Sequence, residues 1–132
     1  MKALFASLAE IDQQRADSRR SYREFLRVPA MSAGLYVLAA GATDMQKPHN
    51  EDEIYYVVRG RARFKADKGK DKDDREVSAG SVIFVAAKVE HRFYDIAEEL
   101  AVLVVFAPAE SEAAAEAARF QATSPGSSKS LP

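Results

Sequence analysis

Two rhythms of apolar and polar positions divide this chain. Near its start, Leu4, Leu8 and Ile11 recur at helical spacing, Phe5 sits on an adjacent position and alanines fill the gaps. That spacing predicts a helix over residues 3–18, with the polar stretch from Asp12 to Arg20 in solvent. From Ser21 the pattern changes to short runs rich in Val, Ile, Tyr and Phe, separated by turn residues, which reads as all-β. Strands are expected near 22–27, 33–40, 53–59, 61–66, 75–78, 81–85, 91–96 and 100–106, punctuated by Gly41, Gly60 and Gly80. Arg59-Gly60 joins two of these runs so tightly that a hairpin is expected there. In 61–66, Ala62, Phe64 and Ala66 alternate with Arg61, Arg63 and Lys65, so one face belongs to the core and the other to solvent.

Three segments depart from alternation. DKGKDKDDRE (67–76) is charged at nine of ten positions and reads as a solvated loop between strands. Ala101–Ala107 is apolar throughout, which implies a strand buried on both faces. Its outer face then needs a cover: the N-terminal helix, a second sheet or a second subunit. AESEAAAEAARFQ (109–121) predicts a short Ala-rich helix capped by Ser111, and ATSPGSSKSLP (122–132) a disordered tail.

Composition narrows the function classes. The 132 residues fit one domain, and the net charge of −1 offers no basic footprint for nucleic acid or an anionic membrane. The absence of cysteine excludes disulfides, thiolate ligands and a cysteine nucleophile. Glu10 and Asp12 interrupt the N-terminal apolar stretch before a signal-peptide core forms, and no apolar run is long enough to span a bilayer. A soluble, cytoplasmic protein is expected.

The candidate chemistry lies with the two histidines. His49 precedes Glu53, which opens the run Ile-Tyr-Tyr-Val-Val, and His91 opens the run at 91–96. A helix would also place residues 49 and 53 on one face, but the β-branched and aromatic residues that follow favour a strand. Tyr55 and Val57 share the pleat face of Glu53. A carboxylate on a core-bearing face is expensive to bury without a cation, a metal or a proton. If the two segments face each other, two imidazoles and one carboxylate form a ligand set suited to Zn, Fe, Ni or Mn, with positions left open for water or substrate.

These two segments resemble the two motifs of the cupin superfamily, in its small single-domain branch. In the first motif, His49 matches the second His of His-x-His, Glu53 the Glu and Gly60 the closing Gly; in the second, Gly80 and His91 match. Departures are Ala86 for Pro, Lys88 for Gly and Asp95 for Asn. The resemblance covers about 33–107 and implies a jelly-roll barrel, often dimeric, with a metal inside the barrel mouth. The expected layout is an N-terminal helical segment (1–20), a barrel (21–108), a C-terminal helix (109–121) and the tail.

Lys47 stands where the family has its first His, and an ammonium cannot ligate. Three readings follow. Lys47 turns outward and His49, Glu53 and His91 hold the metal with water; or Glu51 or Gln46 supplies a fourth ligand; or Lys47 turns inward onto Glu53 and no metal binds. Bland alternatives stand beside these. Glu53 could pair with Arg23 or Arg92; Tyr36, Tyr55, Phe64 and Phe93 could be core filling rather than pocket lining; and Asp95 is expected to close a turn. Two functions are weighed. One is a metal-dependent enzyme of dioxygenase or isomerase type acting on a small organic molecule, with Tyr55 as proton donor. The other is a non-catalytic binding or sensing module, with or without metal, in which Lys47 and the arginines contact an anion. A homodimer is expected in either case, and a purely structural dimer ranks last.

Overall fold

The computed structural model describes residues 2–67 and 73–111. One helix, α1 (Leu8–Ser18), precedes six strands: β1 (Tyr22–Val28), β2 (Met31–Leu38), β3 (Asp52–Ala66), β4 (Asp74–Ser78), β5 (Val82–Val85) and β6 (His91–Ala107). All pairings are antiparallel, in the order β1-β2-β6-β3-β4, with β5 on the β4 side of β3. The sheet curls into the jelly-roll barrel that the sequence led us to expect.

The helix starts later than its apolar spacing suggested. Ser7 is its N-cap, accepting from the Glu10 amide, and Leu4 and Phe5 lie outside it and exposed. Residues 109–111 are not helical, and the remainder of the helix expected at 109–121 and the tail at 122–132 lie outside the described residues.

The main correction concerns Gly60. The hairpin expected at Arg59-Gly60 does not form, because residues 53–59 and 61–66 belong to one bent strand, β3. The runs at 91–96 and 100–106 likewise fuse into β6. The two long strands pair along their whole length, from Asp52↔Ala107 to Ala66↔His91, with register shifts around Arg59 and Arg61. Gly60 has φ +95°, and a Cβ there would lie 2.1 Å from the Glu99 carbonyl oxygen. Asp95 at φ 48° makes the matching irregularity in β6, rather than the turn expected of it. Glycine was thus a bulge signal and not a turn signal.

This bend positions the site. Glu53 and Ala66 are thirteen residues apart on β3, roughly 43 Å if the strand were straight. The bend folds the β3–β6 ladder over, so that its two ends meet at the barrel mouth. The core fills the space between, with Tyr55, Val57, Phe93, Leu100 and Val102 fully buried. The outer face of the apolar β6 run is covered in part by α1: Ile11 packs on Leu35, Val37 and Ala101.

Candidate metal centre

Three elements deliver the site. Glu53 begins β3, His91 begins β6, and His49 lies in the loop entering β3. Their ligand atoms all lie within 4.8 Å of one another. The His91 Nε2 and Glu53 Oε1 are 2.9 Å apart, both side chains almost wholly buried. His91 Nδ1 donates to the Val89 carbonyl at 2.8 Å, so its Nε2 is the nitrogen turned inward. His49 faces the Glu110 carboxyl through Nδ1 at 3.4 Å and the Gln46 Oε1 through Nε2 at 3.2 Å. The His49 loop is fastened to the β5–β6 connection by Lys88 N–H donating to the His49 carbonyl at 2.6 Å. Lys88, where the family motif carries glycine, adopts φ 69°.

The electrostatics suit a cation or a proton between these groups. Burial alone pulls His91 down, but its hydrogen bond to Glu53 and that carboxylate's charge outweigh burial and raise its pKa. Burial dominates at His49 and lowers its pKa, with the Glu53 charge opposing. The second oxygen of Glu53, Oε2, is buried with no partner. An inward Nε2, an inward carboxylate oxygen and an orphaned second oxygen fit a divalent ion or, in its place, a proton.

The remaining expectations sort cleanly. Lys47 is exposed and turned away from the cluster, while Gln46, the residue before it, points in. Tyr55 is wholly buried; its hydroxyl donates to Gln46 Oε1 at 3.0 Å and lies 2.9 Å from His91 Nε2. Burial first, and then Glu53 and Asp44, push the Tyr55 pKa well up, so it carries its proton. Glu53 pairs with His91 rather than with Arg23 or Arg92, both of which are exposed. Phe64 and Phe93 are core residues whose rings also pack against Tyr55, with Phe64 reaching His91. Tyr36 donates to Asp44.

Two residues escaped the sequence reading. Asp44 is buried and accepts four hydrogen bonds: from the Tyr36 hydroxyl, the Phe93 amide, and both the backbone and the side-chain amide of Gln46. The Nε2-to-Asp44 bond fixes the Gln46 amide with its oxygen toward His49 and Tyr55. Glu110 comes from the segment after β6, at the start of the stretch 109–121 expected to form an Ala-rich helix; its backbone amide donates to Ser32 Oγ and its side chain is buried beside His49. Burial, then Glu24, Glu51 and Glu53, push its pKa up to about 8. Only the turn residue Asp44, close before Gln46, gave any signal in sequence; Glu110 gave none.

Comparison with known proteins agrees with this architecture. Residues 34–107 match the family model described as Cupin domain. The chain is 48% identical over 104 residues to Uncharacterized protein SCO3923 of Streptomyces coelicolor, covering 79% of this chain and 95% of that protein. Among solved structures, an RmlC-like cupin family protein with a double-stranded β-helix fold from Methanocaldococcus jannaschii aligns with TM-score 0.61 at 16% identity, over 82% of this chain and 92% of that one. KdgF from Halomonas sp. aligns with TM-score 0.58 at 22% identity, over 66% and 76%. A barrel with both motifs in order, matched over more than half its length, makes this chain a member of the cupin family.

Proposed function

We propose that the protein holds one divalent ion of the Zn, Fe, Ni or Mn class on His49, Glu53 and His91, with Gln46 Oε1 as a fourth donor, and acts on a small organic molecule. One observation carries this reading: both imidazoles turn Nδ1 outward onto an acceptor and Nε2 inward, beside a carboxylate that has no buried ammonium or guanidinium near it. Among the described residues the buried cationic side chain is Arg15, held by Asp12 and the Arg20 carbonyl on the helix side. Water completes the coordination and leaves a place for substrate. When bound, such an ion polarises a substrate oxygen or, as iron, supplies redox chemistry with dioxygen, which fits isomerase- or dioxygenase-type reactions.

The chain's own groups do the rest. Asp44 holds the Gln46 amide, Glu110 orients His49, and the Val89 carbonyl orients His91, as outer partners of metal ligands commonly do. Tyr55 is the proposed catalytic group: protonated and at the cluster, its hydroxyl orients Gln46 and can hand a proton to a substrate oxygen. Elemental analysis of the purified protein should find about one transition metal per chain, and His91→Ala should lose it. Equal metal content in the two proteins ends this reading.

A second reading rests on the His91–Glu53 contact, which a proton can also bridge. The barrel is then a metal-free binding or sensing module. A thermal-shift series with divalent ions separates the two, since an ion that binds the folded chain raises its melting temperature by mass action.

We also propose a soluble cytoplasmic homodimer without nucleic-acid or membrane partners. Among the described residues no helix is long and apolar enough to cross a membrane. The outer face of β5 and β3 carries Phe84 and Val82, 64% and 67% exposed, paired in register with Ile54 and Tyr56, 46% and 43% exposed. A contiguous apolar patch of this kind marks an interface. Phe84→Glu should yield a monomer in sedimentation velocity; an unchanged sedimentation coefficient removes the dimer from this face.

A further inference from the structure

The metal cluster does not account for every buried polar group at the barrel mouth. Apart from Glu53 Oε2, three more oxygens there are buried without a partner: Glu51 Oε1, Glu110 Oε1 and the Tyr22 hydroxyl. Their residues are 6%, 2% and 6% exposed. Orphaned buried acceptors are rare in folded chains, and each carries a desolvation cost of its own.

The register places them on one side of the cluster. Ser32 and Glu53 flank Phe106 across β2, β6 and β3. His49 packs on the Phe106 ring at 4.8 Å, and Glu110 is tied to Ser32, so the Glu110 carboxyl stands over Phe106 beside His49. Tyr22 lies beneath. Its ring covers Gly34, two residues from Ser32, and occupies the space a Cβ would need, with ring and hydroxyl atoms 2.3 Å from that position. Only glycine at position 34 lets the ring lie flat on the strand. Glu51 comes from the loop between His49 and Glu53, and its charge is felt by both His49 and Glu110. The nearby guanidinium, Arg27, is engaged twice by Glu24 and once by the Glu110 carbonyl. These three side chains therefore present buried oxygens without partners and, among the described residues, no cation that is not already engaged.

We infer that the buried oxygens of Glu51, Glu110 and Tyr22 bind the hydrogen-bond-donor end of the substrate, a hydroxyl-rich or amine-bearing small molecule and not a carboxylate or phosphate. This deepens the proposed function by naming the substrate class of the same mouth. Buried oxygens left without donors are satisfied by ligand O–H or N–H groups, while an anion placed there sets acceptor against acceptor. The substrate end that lies against His49, Glu53 and His91 is then the reacting end, and the donor-bearing end is held about one residue layer away.

The test uses the full chain with its native metal content, measured beside each titration. Saturation-transfer NMR and calorimetry are run with erythritol and xylitol as polyols, 1,4-diaminobutane as the amine, and malonate and inorganic phosphate as anions. At least one polyol or the amine should bind, and more tightly than either anion. Glu51→Gln and Tyr22→Phe, neither of which removes a proposed metal ligand, should each weaken that binding about tenfold. Tyr22→Phe should at the same time raise the melting temperature of the ligand-free protein, by about 4 °C, because it deletes an orphaned buried hydroxyl. A purely structural tyrosine would lower it. Preference for the anions, absence of binding by every donor probe, or donor affinity unchanged in both variants overturns the inference. Metal bound without donor binding leaves the metal reading standing and removes this one; donor binding in metal-free protein does the reverse.

Discussion

The two ends of the folded β3–β6 ladder differ in kind. At the bend, around Gly60, the interior is apolar: Val57, Ala62, Ile96, Leu100 and Val102 are between 0% and 4% exposed. At the mouth, the same two strands bury Glu53 and His91, and the surrounding loops add Asp44, Glu51 and Glu110. The bend is where burial of hydrocarbon stabilises the fold. The mouth retains carboxyl oxygens without partners, which costs stability and leaves them available to a ligand. One ladder thus separates stability from chemistry along its length, and the geometry of the first fixes the geometry of the second.

The sharpest way to break this division is at the bend. Gly60→Ala places a Cβ 2.1 Å from the Glu99 carbonyl at φ +95°, and should cost about 3 kcal/mol or unfold the chain. Where a folded fraction survives, its metal content should fall with its stability, because the ladder ends no longer meet. Urea denaturation and elemental analysis on one preparation check both; a stable Gly60→Ala protein with full metal contradicts the role given to the bend.

Asp44 links the two regions, since it ties the Gln46 loop to β2 and β6. Asp44→Ala leaves the Phe93 amide and the Tyr36 hydroxyl without that acceptor and should cost about 2 kcal/mol. Asp44→Asn keeps the size but disturbs the amide that aims Gln46, and should weaken metal binding about tenfold or more. Competition with a chelator measures this directly. Undiminished affinity would mean that Gln46 is not a donor.

Smaller effects lie at the edges. Lys88 holds a left-handed conformation that a side chain disfavours, so Lys88→Gly should stabilise the protein by about 1 kcal/mol or less, with metal binding intact. A destabilised variant would show that the Lys88 side chain contributes more than its backbone strain costs. Smallest is the surface cluster in which Tyr94 and Arg63 both donate to Asp74. The Tyr94 hydrogen bond, joined by the hydrogen bond and charge of Arg63, outweighs the opposing burial and holds the Asp74 carboxyl below its usual range. Its stabilising contribution is therefore present above the ordinary carboxylate pKa and is lost as pH falls through the depressed one. The difference in melting temperature between wild type and Asp74→Asn should be small at neutral pH and vanish on acidification. A difference that grew in acid would reverse the assignment.

Much of this was legible in the chain. Alternation at 61–66 and the unbroken apolar run at 101–107 marked strands and their faces, since side-chain period follows directly from backbone geometry. The candidate ligands were equally visible: with two histidines and one carboxylate heading an apolar strand, few other sets exist. Boundaries and connections were less so. A glycine between two β runs serves a hairpin or a bulge equally well, and only the partner strand decides which; here the Glu99–Leu100 backbone occupies the space beside Gly60.

The sequence by itself determined which residues were able to ligate and which faces had to be buried, because both are properties of side chains and local spacing. Tertiary structure alone decided that Lys47 turns out and Gln46 turns in, that Glu110 returns to stand beside His49, and that Glu53 and His91 touch. Each of those depends on a contact between segments far apart in the chain, made possible by one bend in a ladder that would otherwise hold its ends tens of ångströms apart.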